Sequence, residues 1–382
     1  MKRFFSFLTL CSVAMLLMGT LSCQREKRLD TNQLNKVDGL IDQALEEGLF
    51  PGGVLAVVYK DNLVLLKEYG NKSVYPDVEP VSVQTVFDLA SVSKPFTAFS
   101  VMLLVEQGKI RLGDRLKLYF PEFPSNITIK HLLTHTSGIA DYSNIGEELE
   151  KYGEGNREGL MKYILTRTQQ SVPGKKFEYS CLNFVLLQYI VEKVSGMSLD
   201  VFTQEHIFKP LGMTSTAYNP SGEVLERTAP TEKVADRVLK GEVHDSLALY
   251  FNKGVSGNAG VFSTAEDLVV FAKMLMNNGV YNGKKIMGTR TLQTMVAVPE
   301  DLQPFGRSLG WDNYSPYSSD HGDLLSRKET FGHTGYTGTS FFIDPVNELA
   351  VIFLAHRVHP YNVGNMVPFR SKLANIIAGA LP

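Results

Sequence analysis

The chain has 382 residues, 44% of them hydrophobic and 20% charged, with a net charge of −2. That length and apolar content can bury a large core; the weak, scattered charge, with no basic stripe and no interleaved aromatics, argues against nucleic acid as a partner. Of three cysteines, Cys11 and Cys23 lie near the start and only Cys181 lies in the body, so an intramolecular disulfide there is excluded by count.

Taken in chain order, Lys2 and Arg3 precede an almost wholly apolar run at residues 4–18, and Gly19 to Cys23 are mostly small or polar. That is the layout of a secretory signal, too short for a spanning helix. Thr20-Leu21-Ser22-Cys23 is similar to a bacterial lipobox, with Thr20 where Leu is usual. The likeness implies lipidation of Cys23 and export to the periplasm or cell surface on a membrane anchor; an ordinary cleaved signal is the alternative. Residues 1–22 are therefore read as leader, the polar residues 23–36 as a tether, and residues 37–382 as one domain. Losing Lys2 and Arg3 with the leader moves the net charge from −2 to −4. No second long apolar run follows.

Residues 52–59 read as a strand, Asp61-Asn62 as a turn, and residues 63–69 as the returning strand. Near the other end, residues 338–344 and 349–355 form a second hairpin around Pro345-Val346-Asn347. Between them the pattern is helical, at 95–107, 183–194, 199–208 (stopped by Pro210 and Gly212) and within 261–277, where Ser263-Thr264-Ala265-Glu266 has the form of a capping box. Residues 368–380 predict a last helix. The expected architecture is α+β, with an antiparallel sheet from both chain ends packed with helices and a mostly helical lobe inserted between.

One short stretch carries candidate chemistry. Ser91-Val92-Ser93-Lys94 is the only Ser-x-x-Lys in the chain. A helix starting near Ser91 would set Lys94 one turn later on the same face, with Pro95 tolerated in the first turn. The helix dipole would favour a developing alkoxide, and a desolvated lysine can relay a proton. A plain N-cap serine followed by a surface lysine fits the spacing equally.

The partners lie downstream. Pro173-Gly174 leads to Tyr179-Ser180-Cys181, and Phe331-Gly332-His333-Thr334-Gly335-Tyr336 comes late in the chain. In that order, with Leu132-Leu133-Thr134-His135-Thr136-Ser137-Gly138 and Gly260-Val261-Phe262-Ser263-Thr264, the sequence resembles the serine β-lactamase and penicillin-binding-protein superfamily from about Val37 onward. Within it, the class C β-lactamase-like group with its esterases and D-aminopeptidases is the most similar. Gly241 to Asp245 and Arg357 to Pro360 resemble lactamase-like domains fused to bacterial β-N-acetylglucosaminidases, which hints at cell-wall fragments.

The resemblance implies a β-lactamase/transpeptidase-like fold and a serine hydrolase. Ser91 would attack a carbonyl, Lys94 would share in proton transfer, and Tyr179 would be the motif tyrosine that serves as base; residues alone leave open whether Lys94 or Tyr179 takes the proton. The backbone N–H groups of Ser91 and Tyr336 would form the oxyanion hole, beside Thr334 and Gly335. Two positions depart from the pattern. Cys181 stands where Asn is usual, and a thiol is a poor substitute for an amide in holding a substrate amide. His333, counted with the catalytic residues and expected to face the same cleft as Cys181, stands where many members carry Lys, and is mostly neutral at pH 7. Both shift the expectation from a true β-lactamase toward an esterase or a D-Ala-type peptide hydrolase. A β-lactamase and a catalytically silent cell-wall-peptide-binding lipoprotein are the alternatives.

Cys181 is read as a small buried side chain beside the site in preference to a second nucleophile. His131 and His135 are read as structural, since no ligand-spaced cluster accompanies them; no metal or cofactor is implied. His244 with Asp245 could line the pocket or hold a loop. Arg357 could bind a substrate carboxylate or make a surface salt bridge, and Tyr142 could be a cleft aromatic or core.

Overall fold

The computed structural model describes residues 28–124, 126–168, 170–317 and 321–382. The proposed leader and the first five residues of the tether, Cys23 among them, lie outside the described residues. Strand β1 (Gly52–Tyr59) is buried along its whole length because it faces two layers at once. Its side chains alternate. Leu55 and Val57 join one apolar cluster, and Val54, Ala56 and Val58 join the other. β2 (Asn62–Val74) returns beside it and runs past the expected Tyr69, to pair with β3 (Val78–Pro80). From the far end of the chain come β7 (Phe331–Thr334), β8 (Ser340–Asp344) and β9 (Leu349–Ala355). β9 lies antiparallel to β1, with Gly53 opposite Ala355 and Tyr59 opposite Leu349. The six-stranded sheet has the order β7-β8-β9-β1-β2-β3, so both chain ends build it, as expected.

One face carries α1 (Lys36–Glu46) and α7 (Val367–Ala378), which pack through Val37, Ile41, Phe369 and Leu373 onto Val351 and Phe353. The expected tether is corrected here. Asp30 caps a turn at Thr31–Leu34, its backbone N–H donates to the Ala380 carbonyl, and Leu34 is buried in this layer, so the fold starts before Val37.

The other face carries the inserted lobe. Its central pair is α2 (Lys94–Glu106) and α4 (Cys181–Ser195), apolar on nearly all sides because helices and sheet surround them. Three short strands, β4 (Phe87–Asp88), β5 (Ala217–Tyr218) and β6 (Val261–Ser263), form a second small sheet in the order β4-β6-β5. The helix after β6, at Ala265–Met276, is capped one residue later than expected. Thr264, not Ser263, accepts the N–H of Asp267, because Ser263 still belongs to the strand. The segment from Leu199 does not stop at Phe208. It passes through a π turn at Gln204–Phe208 and ends at Gly212, in the left-handed region, so Pro210 starts a turn where a stop was expected.

Candidate active site

Ser91 does not cap a helix. It sits in a 3-10 turn at Ala90–Ser93, and the α-helix begins at Lys94. The turn is entered through Ala90 at φ 47°, the left-handed region that costs an L-residue about 1–2 kcal/mol. Several contacts hold it there. The Ala90 N–H donates to Asp88 Oδ1 at 2.8 Å, and the Leu89 N–H donates to the Val261 carbonyl. Thr337 and Thr339 donate to the carbonyls of Asp88 and Leu89, each at 2.9 Å. Gly335 is required by close approach: a Cβ there would lie 2.1 Å from Thr339 Oγ1 and 2.4 Å from the Leu89 carbonyl. Ser93, the neighbouring serine, accepts the Val261 N–H and is structural.

The turn and the first turn of α2 bring Lys94 back under Ser91. Lys94 is fully buried, and its Nζ donates to Ser91 Oγ at 2.8 Å, to the Asn258 carbonyl at 2.9 Å and to Cys181 Sγ at 3.5 Å. Tyr179 OH donates to Ser91 Oγ at 3.1 Å. Its ring is held on both faces, by His135 at 4.3 Å and Tyr317 at 4.4 Å between centroids. His135 also grips the chain on either side of Tyr179: its carbonyl accepts the Glu178 N–H and its Nδ1 accepts the Ser180 N–H. It is structural, as expected, but its structural work is to position Tyr179. His131 Nδ1 accepts the Thr128 N–H in a capping box and is structural as well.

Electrostatics follow from burial. Desolvation works against charge on Lys94, but Cys181 and Tyr179 around it more than offset this and hold the amine above its ordinary range. Burial pushes Tyr179 up to about 12, with Lys94 and Arg307 pulling the other way. Burial likewise pushes the Cys181 thiol up to about 12, against the pull of Lys94, which removes it as a thiolate nucleophile. At neutral pH the resting group is ammonium, phenol and thiol.

A cleft of about 590 Å³ opens above Ser91, lined by Tyr142, Tyr179, Cys181, His244, Thr334, Gly335, Tyr336 and Arg357. The expected substrate-binding set therefore does meet around the serine, and Tyr142 is a cleft residue whose OH donates to Asp245 Oδ2 at 2.6 Å. His244 lines the cleft and also holds a loop, pairing with Glu232 at 2.7 Å. Among the described residues Arg357 has no salt-bridge partner. Its guanidinium donates to the carbonyls of Tyr336, Val363 and Gly364 and to Asn362 Oδ1, and lies over the Tyr336 ring.

His333 departs from expectation. It is 5% exposed and does not share the cleft with Cys181. It lies behind Tyr179 in a separate recess with Arg307 and Asp312. Residues that sequence reasoning missed are Asp88, Arg307, Thr337 and Thr339. No local pattern marked them, because their importance comes from contacts across the fold. Among the described residues no group of three or more His, Cys, Asp or Glu could hold a metal, and no helix is long and apolar enough to cross a membrane.

Comparison with known proteins agrees with this geometry. The Beta-lactamase family model matches residues 37–374. An N-acetylmuramyl-L-alanine amidase of Bacillus subtilis (strain 168) is 31% identical over 375 residues, covering 87% of this chain and 82% of its own. An Escherichia coli (strain K12) protein named "Putative D-alanyl-D-alanine carboxypeptidase" is 31% identical over 402 residues, covering 94% and 92%. Among solved structures, the hydrolase EstCE1, with promiscuous acyltransferase activity, superposes with a TM-score of 0.73 at 20% identity over 91% of this chain and 99% of its own. A class C beta-lactamase superposes with the same TM-score and identity over 92% and 97%. The structural likenesses speak for the fold alone, and the family match and relatives carry the rest: this chain belongs to the beta-lactamase family.

Proposed function

We propose that this protein is a serine acyl hydrolase that forms an acyl-enzyme on Ser91 and acts on ester or D-Ala-type cell-wall peptide substrates. One observation carries the reading: Ser91 Oγ accepts hydrogen bonds from both Lys94 Nζ and Tyr179 OH where it borders the cleft. The three N–H bonds of Lys94 meet three acceptors, which leaves it no lone pair, so the proton acceptor is Tyr179 after ionisation. The contact between Tyr179 and Ser91 then reverses. The phenolate takes the Ser91 proton as Oγ bonds to the substrate carbonyl, and the tetrahedral oxyanion rests on the Ser91 and Tyr336 amides. Tyr179 passes that proton to the departing alcohol or amine. A water then attacks the ester, giving a proton to Tyr179, and Tyr179 returns it to Ser91 Oγ as the acid departs, so Ser91 and the phenolate are restored.

The cell-wall direction is supported by the names of the amidase and carboxypeptidase relatives and by the lipobox-like residues Thr20 to Cys23. We place the protein on a membrane at the periplasmic or cell-surface side, held by Cys23. Cys181 argues for esters or peptides over β-lactams, since its thiol already accepts from Lys94 and makes a weak partner for a substrate amide. Hydrolysis of p-nitrophenyl esters and of D-Ala-D-Ala peptides, with nitrocefin alongside, tests this. Turnover of an ester or peptide that Ser91→Ala abolishes supports it. Nitrocefin as the one substrate turned over would move the protein to the β-lactamases. Tight muropeptide binding with no turnover of any substrate would make it a binding protein.

A further inference from the structure

Tyr179 has to become a phenolate at neutral pH, yet burial raises the cost of its charge. Lys94 stands on one side of the ring, 5.2 Å from its centroid. The recess behind the ring holds a second cation. Arg307 is 1% exposed, and its guanidinium lies 5.5 Å from the Tyr179 centroid and 5.7 Å from that of Phe177. Asp312 holds it at 3.0 Å, and Asp312 is itself fixed by the Ser315 N–H. Between Arg307 and the β7 backbone stands His333. Arginine only donates, so its NH2 contact at 3.4 Å makes His333 Nε2 an acceptor, and Nδ1–H donates to the Thr334 carbonyl at 2.9 Å. Both ring nitrogens are committed, and burial with Arg307 and Lys94 keeps the ring neutral. His333 is thus a neutral wedge that transmits no proton.

We propose that Arg307 is a positioning residue for catalysis: held by Asp312 and wedged by His333, it supplies a fixed positive charge behind Tyr179 that favours the phenolate. Arginine suits this place because it stays charged throughout the working pH range. The other titratable groups facing Tyr179 are Cys181 from α4, His135 from the segment just after the helix at Ile129–Leu133, and Tyr317 from the loop that carries Arg307, with Asp141 behind Cys181, where its Oδ1 accepts the Cys181 N–H. Among these Arg307 is the one group besides Lys94 that holds a positive charge at neutral pH.

The inference rests on the acyl-enzyme reading, and its test keeps the two apart. The rate of Ser91 adduct formation with a fluorophosphonate is followed from pH 5 to 10 in the wild-type protein, Arg307→Met, Arg307→Lys and Asp312→Asn. Arg307→Met is expected to move the midpoint of the rise in rate to higher pH by about one unit, equal to about a tenfold loss well below the midpoint. Arg307→Lys is expected to keep most of the rate. Asp312→Asn removes the opposing negative charge, so its midpoint is expected to move to lower pH. That shift in the opposite direction is one that loosened packing cannot mimic, and it decides the matter alone if Arg307→Met fails to fold. Midpoints shared by the folded variants, even with slower rates, would overturn the inference and leave the acyl-enzyme reading standing. A wild-type protein that forms no Ser91 adduct would overturn that reading itself.

Discussion

Ser91 stands between two regions built on opposite principles. On one side lie Lys94, Tyr179 and Arg307, where charge is buried and the proton between Ser91 and Tyr179 can change hands. On the other lie Asp88, Gly335, Thr337 and Thr339, where nearly every contact is a backbone hydrogen bond with one possible arrangement. The first region is costly to fold and useful for chemistry. The second holds a strained turn in place so that the chemistry has an address. Activity and stability should therefore separate when the two are mutated.

The largest separation is expected on the proton-handling side. Ser91→Ala and Lys94→Met should each lower ester hydrolysis by at least about a thousandfold. Lys94→Met should melt at the wild-type temperature or above it, because it removes a buried charge with no carboxylate among its hydrogen-bond partners. Thermal melting beside ester kinetics checks both, and a Lys94→Met protein that is inactive because it is unfolded would break the comparison. On the clamp side Gly335→Ala should cost stability outright. Its new Cβ would press on Thr339 Oγ1, the Leu89 carbonyl and the Ala90 Cβ, which predicts a loss of about 2–3 kcal/mol in urea unfolding, together with slower labelling of Ser91.

The two sides should also answer pH differently. His356 lies beneath the clamp, its Nδ1 against the Pro230 carbonyl and its ring packed edge-on to Phe87. Burial lowers it to about 4. Between the ordinary value of 6.5 and about 4, the unfolded chain binds a proton that the folded chain refuses, so stability falls as pH falls. From pH 7 to pH 5 this one residue should remove about 2 kcal/mol. Urea unfolding at the two pH values measures it: His356→Gln should lose less stability than wild type by about that amount, and an equal loss would place the acid sensitivity elsewhere. The smallest effect is expected at Ala90. Ala90→Gly relieves the positive φ but loosens the unfolded chain, so stability should change by less than about 1 kcal/mol, with a modest fall in ester turnover as the turn gains freedom.

Much of the fold was legible because its signals are local. The unbroken apolar runs of β1 and β9 and the apolar helices α2 and α4 are written in consecutive residues. Ser91 and Lys94 were legible as a spacing, and Tyr179 through resemblance in the motif order. The tether was misjudged because Leu29 and Leu34 are isolated apolar residues among polar ones, and only the α1 and α7 layer reveals that they pack there. His333 was placed in the cleft because it adjoins Thr334 and Gly335 in the motif, but which side of Tyr179 it occupies depends on tertiary packing. Arg307 stands 26 residues before His333 in a loop with no motif, and Asp88 looks like any strand-end acid. Their roles are long-range contacts, which no window of sequence displays.

The central claim is that Ser91, and not Cys181, takes the acyl group. Its most direct test is intact-mass measurement followed by peptide mapping after brief exposure to a panel of activated esters, β-lactams and D-Ala-D-Ala peptides. The account predicts a mass increase equal to the acyl fragment of at least one ester or peptide, mapped to Ser91, transient in the wild type and missing in Ser91→Ala. An adduct mapped to Cys181, or no adduct across the whole panel, would contradict it.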